Sequence, residues 1–226
     1  GEFPVATDVV TIWNRALSAA GGRGLVSTIS EPGREADLCR LWYPQVRDSV
    51  LKSASWPCAS EYARLAVLAE RVNGSEWDVS QPPPTWRFAY ATPSNMLAPR
   101  HLMSYGRFTQ STFQNKNVIA TNDEEAILHY TKLQDDTSKW DAGVEHAVIA
   151  SLAAQLALPL SGKVTRAREL ADRATEVVLL ARTDFANESD DNYEALPSWI
   201  GVRGYEMAPV ATRYFWPFGN LLGVAA

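Results

Sequence analysis

Apolar residues recur every three or four positions along residues 138–158 and 163–182, and this spacing predicts two helices folded back on each other. In the first of these stretches the larger apolar residues lie four apart on one face: Val144, Val148, Leu152 and Leu156. Alanines fill most of the remaining positions of that face and of the facing helix. The small side chains predict close helix–helix contact and an ordinary core rather than a ligand cavity.

The two ends of the first helix carry sequence signals of their own. Ser138 and Asp141 have the three-residue spacing of a capping box, which predicts the start of the helix. Pro159 and Gly162 predict its end, because proline removes a backbone donor and glycine permits a sharp exit.

Earlier in the chain the same period predicts three more helices, at residues 8–20, 30–54 and 60–72. Thr7 or Asp8 is placed to cap the first of them. The second contains Pro44 in its interior, where we expect a kink.

Between the helices the period changes to two. Trp86, Phe88 and Tyr90 alternate with smaller or charged residues, which is typical of a half-buried strand. Further strands are predicted at residues 96–103, 108–113, 118–121 and 126–133, with Asn-rich turns between them. Together these segments predict one small antiparallel sheet.

The expected fold class is therefore α+β and mainly α, a helical bundle with a small inserted antiparallel sheet. The helical domain is predicted to be discontinuous, the sheet to be inserted within it, and an irregular extension to follow. The predicted parts are residues 1–72 with 135–188, residues 73–134, and residues 189–226.

The last part of the chain is rich in aromatic residues but has no helix or strand period. Residues 190–226 contain seven aromatics, about twice the whole-chain fraction of 10%. A segment this short and irregular does not build its own core, so its aromatic residues must be buried elsewhere. The residues themselves leave two destinations open, the chain's own helical part or the surface of a partner.

Composition narrows the classes of function. The chain has 226 residues with a net charge of −5, which argues against a general nucleic-acid or anionic-membrane binder. The longest uncharged apolar run, residues 147–160, fits a buried helix better than a membrane span. Cys39 and Cys58 form neither a zinc motif nor a disulfide framework, and no signal peptide is apparent.

Catalytic motifs are missing from the sequence. It contains neither GxSxG nor HExxH, and His101, His129 and His146 share no ligand spacing. Acidic clusters occur at residues 123–125, 135–136 and 190–191, where solvated or capping carboxylates are the usual outcome. We therefore expect no catalytic residue, no cofactor and no metal site.

Several blocks in a fixed order carry a family resemblance. They are LCRLWYP (38–44), PPTWRFAY (83–90), PSNML (93–97), LHY (128–130), DDT (135–137) and LALPLSG (156–162). In this order and spacing they resemble the tail tubular protein A family of short-tailed bacteriophages, the head-to-tail adaptor or connector proteins. The resemblance covers roughly residues 5 to 188.

The resemblance implies a non-enzymatic virion protein located at the head–tail junction and assembled in the cytoplasm of a host bacterium. Members of such families form a ring, commonly of about twelve copies, beneath the portal protein and above the tail nozzle protein. DNA passes through the ring without specific binding, and no membrane is involved. The competing interpretation is a tail-associated cell-wall hydrolase, which would need two carboxylates across a cleft.

For the C-terminal extension we predict docking on the portal ring. The residues expected to make that contact are Trp199, Tyr205, Tyr214, Phe215, Trp216 and Phe218. The alternative is that the same side chains fold back on the helical domain.

Overall fold

The computed structural model of the chain describes residues 8–22, 24–72 and 78–188, and its first two helices match those predicted from the apolar spacing. Helix α1, Val9–Ala20, follows Asp8 and ends at Gly21, whose φ of 88° favours glycine. Helix α2, Arg34–Ser53, continues through Pro44. The buried Trp13 of α1 and Tyr43 of α2 meet edge to face, with ring centroids 6.0 Å apart.

Helix α3, Ala142–Ser161, is the centre of the helical layer and packs against α1 and α2. Its start differs from the prediction, because Asp141 rather than Ser138 is the capping residue. The Asp141 carboxylate accepts a hydrogen bond from the Val144 backbone N–H at 2.8 Å. Ser138 instead lies in a 3-10 turn, Thr137–Lys139, where it bonds to Asp136.

Helix α4, Val164–Glu188, folds back along α3 after a turn at Gly162, as the hairpin pattern predicted. Its burial is sparse for a helix of 25 residues. Among its side chains that the structure describes, only Leu170, Ala174 and Ala181 are buried. The remaining contact with the layer comes from partly buried residues such as Val178 and Phe185.

The predicted helix at residues 60–72 is wrong, because this segment forms two strands, β1 (Ser60–Arg64) and β2 (Val67–Glu70). Its residues have good helix propensity, but local propensity is a weak preference that tertiary pairing overrides. Leu65, between the two strands, is buried against the residues of later strands.

The remaining strands lie close to their predicted positions: β3 (Phe88–Ala91), β4 (Met96–Leu102), β5 (Phe108–Phe113), β6 (Lys116–Thr121) and β7 (Ile127–Lys132). They form two antiparallel sheets rather than the single sheet that we expected. One has the order β1-β7-β4 and the other the order β2-β3-β6-β5.

A second apolar core joins the two sheets. Leu102, Leu128 and Tyr130 of the three-stranded sheet share it with Tyr90 and Ile119 of the four-stranded sheet. All five are at most 2% exposed. The sheets thus bury their apolar faces together, in a layer that is separate from the helical core.

The expectation of a mainly α fold built as a helical bundle is therefore wrong. The described residues contain four α-helices and seven antiparallel strands, with 47% of residues helical and 22% in strands. The fold is α+β, with a helical layer and a two-sheet layer whose strands lie between α2 and α3 in the sequence.

Two side chains pack around the end of α2, and one of them, Arg100, joins the two layers. The Trp56 indole is 1% exposed, donates a hydrogen bond to the Val50 carbonyl at 2.8 Å and packs near Phe185 of α4. The Arg100 guanidinium of β4 donates to the Lys52 carbonyl at 3.0 Å and also to the carbonyls of Leu51 and Ala54. It therefore satisfies carbonyls that a helix end leaves without partners.

Candidate functional site

Helix α4 forms a ridge on α3 with a groove on each side. The larger one, the α2–α4 groove, has a volume of about 560 Å³ and a floor made by α3. Small residues of the three helices, including Ser49, Ser151, Ala154 and Ala171, keep it open. The smaller one, the α1–α4 groove, has a volume of about 260 Å³ and is lined mainly by apolar residues of α3 and α4.

Large apolar side chains are exposed on the ridge itself. Leu179 lines the α2–α4 groove and is 53% exposed, while its neighbour Leu180 lies outside the groove lining and is 57% exposed. At the hairpin tip Leu158 and Val164 are also exposed. A helix that buries so few of its residues gains little from packing, and exposed apolar patches of this kind mark contact sites for other molecules.

A row of four rings crosses the three-stranded sheet. Tyr62 of β1 is paired in register with His129 of β7, which is paired on its other side with His101 of β4. The Tyr62 ring stacks on His129 with centroids 4.5 Å apart, and the Tyr105 ring stacks on His101 at 5.5 Å. The sequence predicted only structural histidines here, because the two residues are 28 positions apart and the register of their strands is not visible in the sequence.

Hydrogen bonds connect the two histidines of this row to each other and to Ser60 of β1. The Ser60 Oγ lies 2.5 Å from the His129 Nε2, and the His129 Nδ1 lies 3.3 Å from the His101 Nδ1. His129 is 6% exposed, whereas His101 is partly exposed. The arrangement places the two Nδ1 atoms within hydrogen-bond distance, with the ring planes 63° apart. A serine hydroxyl, which can donate or accept, contacts the more buried ring.

Carboxylates of the acidic clusters that fall in the described residues make hydrogen bonds and ion pairs with neighbouring side chains. Asp123 accepts a hydrogen bond from Ser104, Glu125 pairs with Arg64, and Asp135 pairs with Arg47. Hydrogen bonds from Ser138 lower the pKa of Asp136, the opposite of what a general acid needs. The pair of carboxylates that a cell-wall hydrolase requires therefore gains no support from these residues.

The two cysteines are poor nucleophiles. Burial, with a smaller contribution from Glu35, raises the pKa of the Cys39 thiol to about 12. Burial, with Asp141 nearby, raises the pKa of the Cys58 thiol to about 11. Thiolates are the reactive form, so both side chains act as packing residues at neutral pH.

The predicted portal-docking residues lie outside the described residues. They are Trp199, Tyr205, Tyr214, Phe215, Trp216 and Phe218. Their assignment to the portal stays a prediction.

Within the described ranges, α3 is the one helix whose length and composition would allow it to cross a membrane. It also buries Val144, Val148, Leu152 and Leu156 in the helical core. A core helix meets the same criterion, so the hydropathy of α3 is weak evidence for a membrane span.

Comparisons with known proteins do not assign a family. No protein-family model matches the sequence, and no curated protein matches it. The resemblance to the tail tubular protein A family therefore remains a prediction from the ordered sequence blocks.

Proposed function

We propose that this chain is a structural subunit of a bacteriophage head-to-tail adaptor. Its copies form a ring, of about twelve by the family resemblance, between the portal and the tail nozzle. The ring continues the channel through which DNA passes. The observation that carries the proposal is the ridge-and-groove surface of α4, which a single copy leaves uncovered.

Helix α4 buries few of its side chains for a helix of its length. Three described side chains of α4 are buried, while Leu179 and Leu180 are each more than half exposed. Most helical stability comes from packing of an apolar face, so a helix of this length gains stability when another molecule covers it. A second copy of the chain is the partner that a ring supplies.

Ridge and groove are different surfaces, and this favours a head-to-tail contact. In our proposal the α2–α4 groove of one copy receives a surface of the next copy. Contacts between unlike surfaces repeat around an axis and close into a ring when the rotation per copy divides a full turn. A symmetric dimer would instead use one patch twice.

The axial partners of the ring are assigned from the resemblance. We expect the portal to contact residues 189–226 and the nozzle to contact another face of the subunit. The net charge of −5 supports a channel wall that does not retain DNA. Truncation after Ser189 tests the portal assignment: a folded protein that no longer binds portal supports it, and unfolding favours packing against the chain's own helices.

The decisive experiment is native mass spectrometry of the purified chain, alone and after addition of portal rings from a short-tailed phage. Binding of about a dozen copies to one portal ring is the expected result. A chain that stays monomeric and ignores portal rings would overturn the proposal. Peptidoglycan cleavage by the same preparation would then favour the hydrolase interpretation.

A further inference from the structure

The histidine pair of the three-stranded sheet has the geometry of a metal site. We propose that His101 and His129 bind a divalent transition-metal ion of the zinc class through their Nδ1 atoms. This site is independent of the adaptor proposal, because it depends only on the sheet register and on the side chains around it.

The separation of the two nitrogens is the first argument. The His129 Nδ1 and the His101 Nδ1 lie 3.3 Å apart. Two nitrogens that share one tetrahedral zinc ion at about 2.0–2.1 Å are themselves about 3.3 Å apart. The pair is therefore already at the spacing that zinc requires. In the metal-free chain one proton lies between the two nitrogens, on the His101 Nδ1 when His129 Nε2 is protonated. When the ion binds, His101 changes tautomer and carries its proton on Nε2 instead, so both Nδ1 atoms have a lone pair for the ion.

The hydrogen bond at the far side of His129 is the second argument. Its Nε2 lies 2.5 Å from the Ser60 Oγ, on the neighbouring strand. When Nε2 carries the proton and donates it to Ser60, the Nδ1 atom keeps a lone pair directed toward His101. Metal-binding histidines almost always use the second ring nitrogen in this way, which fixes the tautomer and the ring orientation.

The backbone and the flanking rings hold the pair in place. His101 and His129 are register partners in β4 and β7, so their Cα positions are set by the sheet. Tyr62 stacks on His129 and Tyr105 stacks on His101, which limits rotation of both rings. Because ligand positions are held before the metal arrives, binding costs less conformational entropy.

The site offers two protein ligands. Within the described residues no group of three His, Cys, Asp or Glu side chains surrounds a common point. Water molecules complete the coordination, which leaves exchangeable positions on the ion. His101 is partly exposed, and this gives the ion a route from solvent.

The test is a zinc titration of the full chain, followed by calorimetry and by NMR of the histidine ring signals. We expect saturable binding of one ion, with shifts of two of the three histidine signals in the native chain. His146, an exposed residue of α3, supplies the third signal, and the chemical shift of this signal is expected not to change. This measurement uses the native chain, so its result does not depend on whether a variant folds.

Variants locate the site. His101→Asn is expected to abolish saturable binding, whereas the matched control His146→Asn binds zinc as the native chain does. Ser60→Ala is expected to weaken binding by roughly tenfold or more, the usual cost of losing a partner of a metal ligand. Circular dichroism spectra confirm that each variant is folded.

Three results would overturn the proposal. They are a native chain that shows no saturable zinc binding, a His101→Asn variant that binds zinc as tightly as the native chain, and a zinc-dependent shift at His146. Unchanged affinity in Ser60→Ala would also count against it, because the tautomer argument depends on that hydroxyl.

Discussion

The two layers of this molecule complete their cores in different ways. In the two-sheet layer the apolar faces meet within one chain, and Tyr90, Ile119 and Leu128 are almost fully buried. In the helical layer α3 is equally well buried, but α4 leaves Leu179 and Leu180 exposed beside open grooves. Both layers expose apolar side chains, for example Tyr62 and Val67 in the sheets, so the difference lies in the open grooves beside α4. Under our proposal, another copy of the chain covers the helical side.

The largest effect is expected in the helical core just after the end of α2. Trp56→Ala removes a fully buried ring and its hydrogen bond to Val50, and we expect a loss of about 3–5 kcal/mol in the free energy of unfolding. Urea unfolding followed by circular dichroism measures the loss. Because Trp56 lies between α2 and β1, the helix and strand signals are expected to shift together.

The control for this change is Trp42→Ala, which truncates a half-buried tryptophan on α2. Its cost is expected to be clearly smaller, because less apolar surface returns to water. Equal losses in the two variants would show that the deeper burial of Trp56 does not determine its contribution to stability.

A smaller effect is expected from the polar contact between the layers. Arg100→Gln removes charged hydrogen bonds to carbonyls at the end of α2 and to the Thr131 hydroxyl, which lies 2.7 Å away. Hydrogen bonds of charged groups contribute about 1.5–3 kcal/mol, and we expect a loss of that size in urea unfolding.

Arg64→Gln is the matched control, since Arg64 is also a strand arginine but its pair with Glu125 is exposed. Exposed pairs contribute about 0–1 kcal/mol. If the two arginine variants lose equal stability, the layers are not held together by Arg100.

The sequence was sufficient to predict the helices for a physical reason. In α1 and α3 the apolar residues of one face are also the residues that are buried, so the 3.6-residue period reports tertiary packing. Even the misassigned cap at Ser138 lies only three positions from the observed Asp141. Local signals of this kind predict where a helix forms but not which other elements pack against it.

Those local signals did not predict which strands pair when the strands are distant in the sequence. Residues 60–72 have the composition of a helix and become strands because β7 and β3 supply hydrogen-bonding partners. The division into two sheets and the meeting of His101 with His129 depend on the same long-range register. The candidate site of the sheet layer was therefore invisible in the sequence, whereas the hairpin of the helical layer was predicted.

The open groove makes a prediction about association. Leu179→Glu places a charge in the α2–α4 groove, and we expect it to weaken contact between copies by about tenfold or more, because burying an unpaired charge is costly. Sedimentation or native mass spectrometry over a range of concentrations measures the change. The stability of the single copy is expected to change little, since this residue is 53% exposed.

Leu180→Glu is its control on the same helix, with 57% exposure but no part in the groove lining. Association of this variant is expected to match that of the native chain. Equal weakening by both substitutions would mean that the ridge, and not the groove, makes the contact.

The smallest effect concerns the cysteine thiols of the helical layer and their response to alkaline pH. The folded-state pKa of the Cys39 thiol is about 12, compared with an ordinary value of 9.0, so above pH 9 the unfolded chain releases this proton while the folded chain keeps it. Stability then falls as pH rises, by at most about 1.4 kcal/mol per pH unit, and this thiol contributes no pH dependence well below pH 9.

Burial also raises the pKa of Tyr43 in the helical layer, to about 12, and the pKa of Tyr90 and Tyr130 in the sheets. The ordinary value for tyrosine is 10.0, so the contribution of these three residues begins at higher pH. Cys39→Ala should therefore reduce the loss of stability just above pH 9 and leave the loss above pH 10 largely in place. Urea unfolding at a series of pH values measures both parts. The Cys58 thiol, whose pKa is raised from 9.0 to about 11, contributes to the same step. An unchanged loss just above pH 9 in Cys39→Ala would therefore assign that step to Cys58 and not to Cys39.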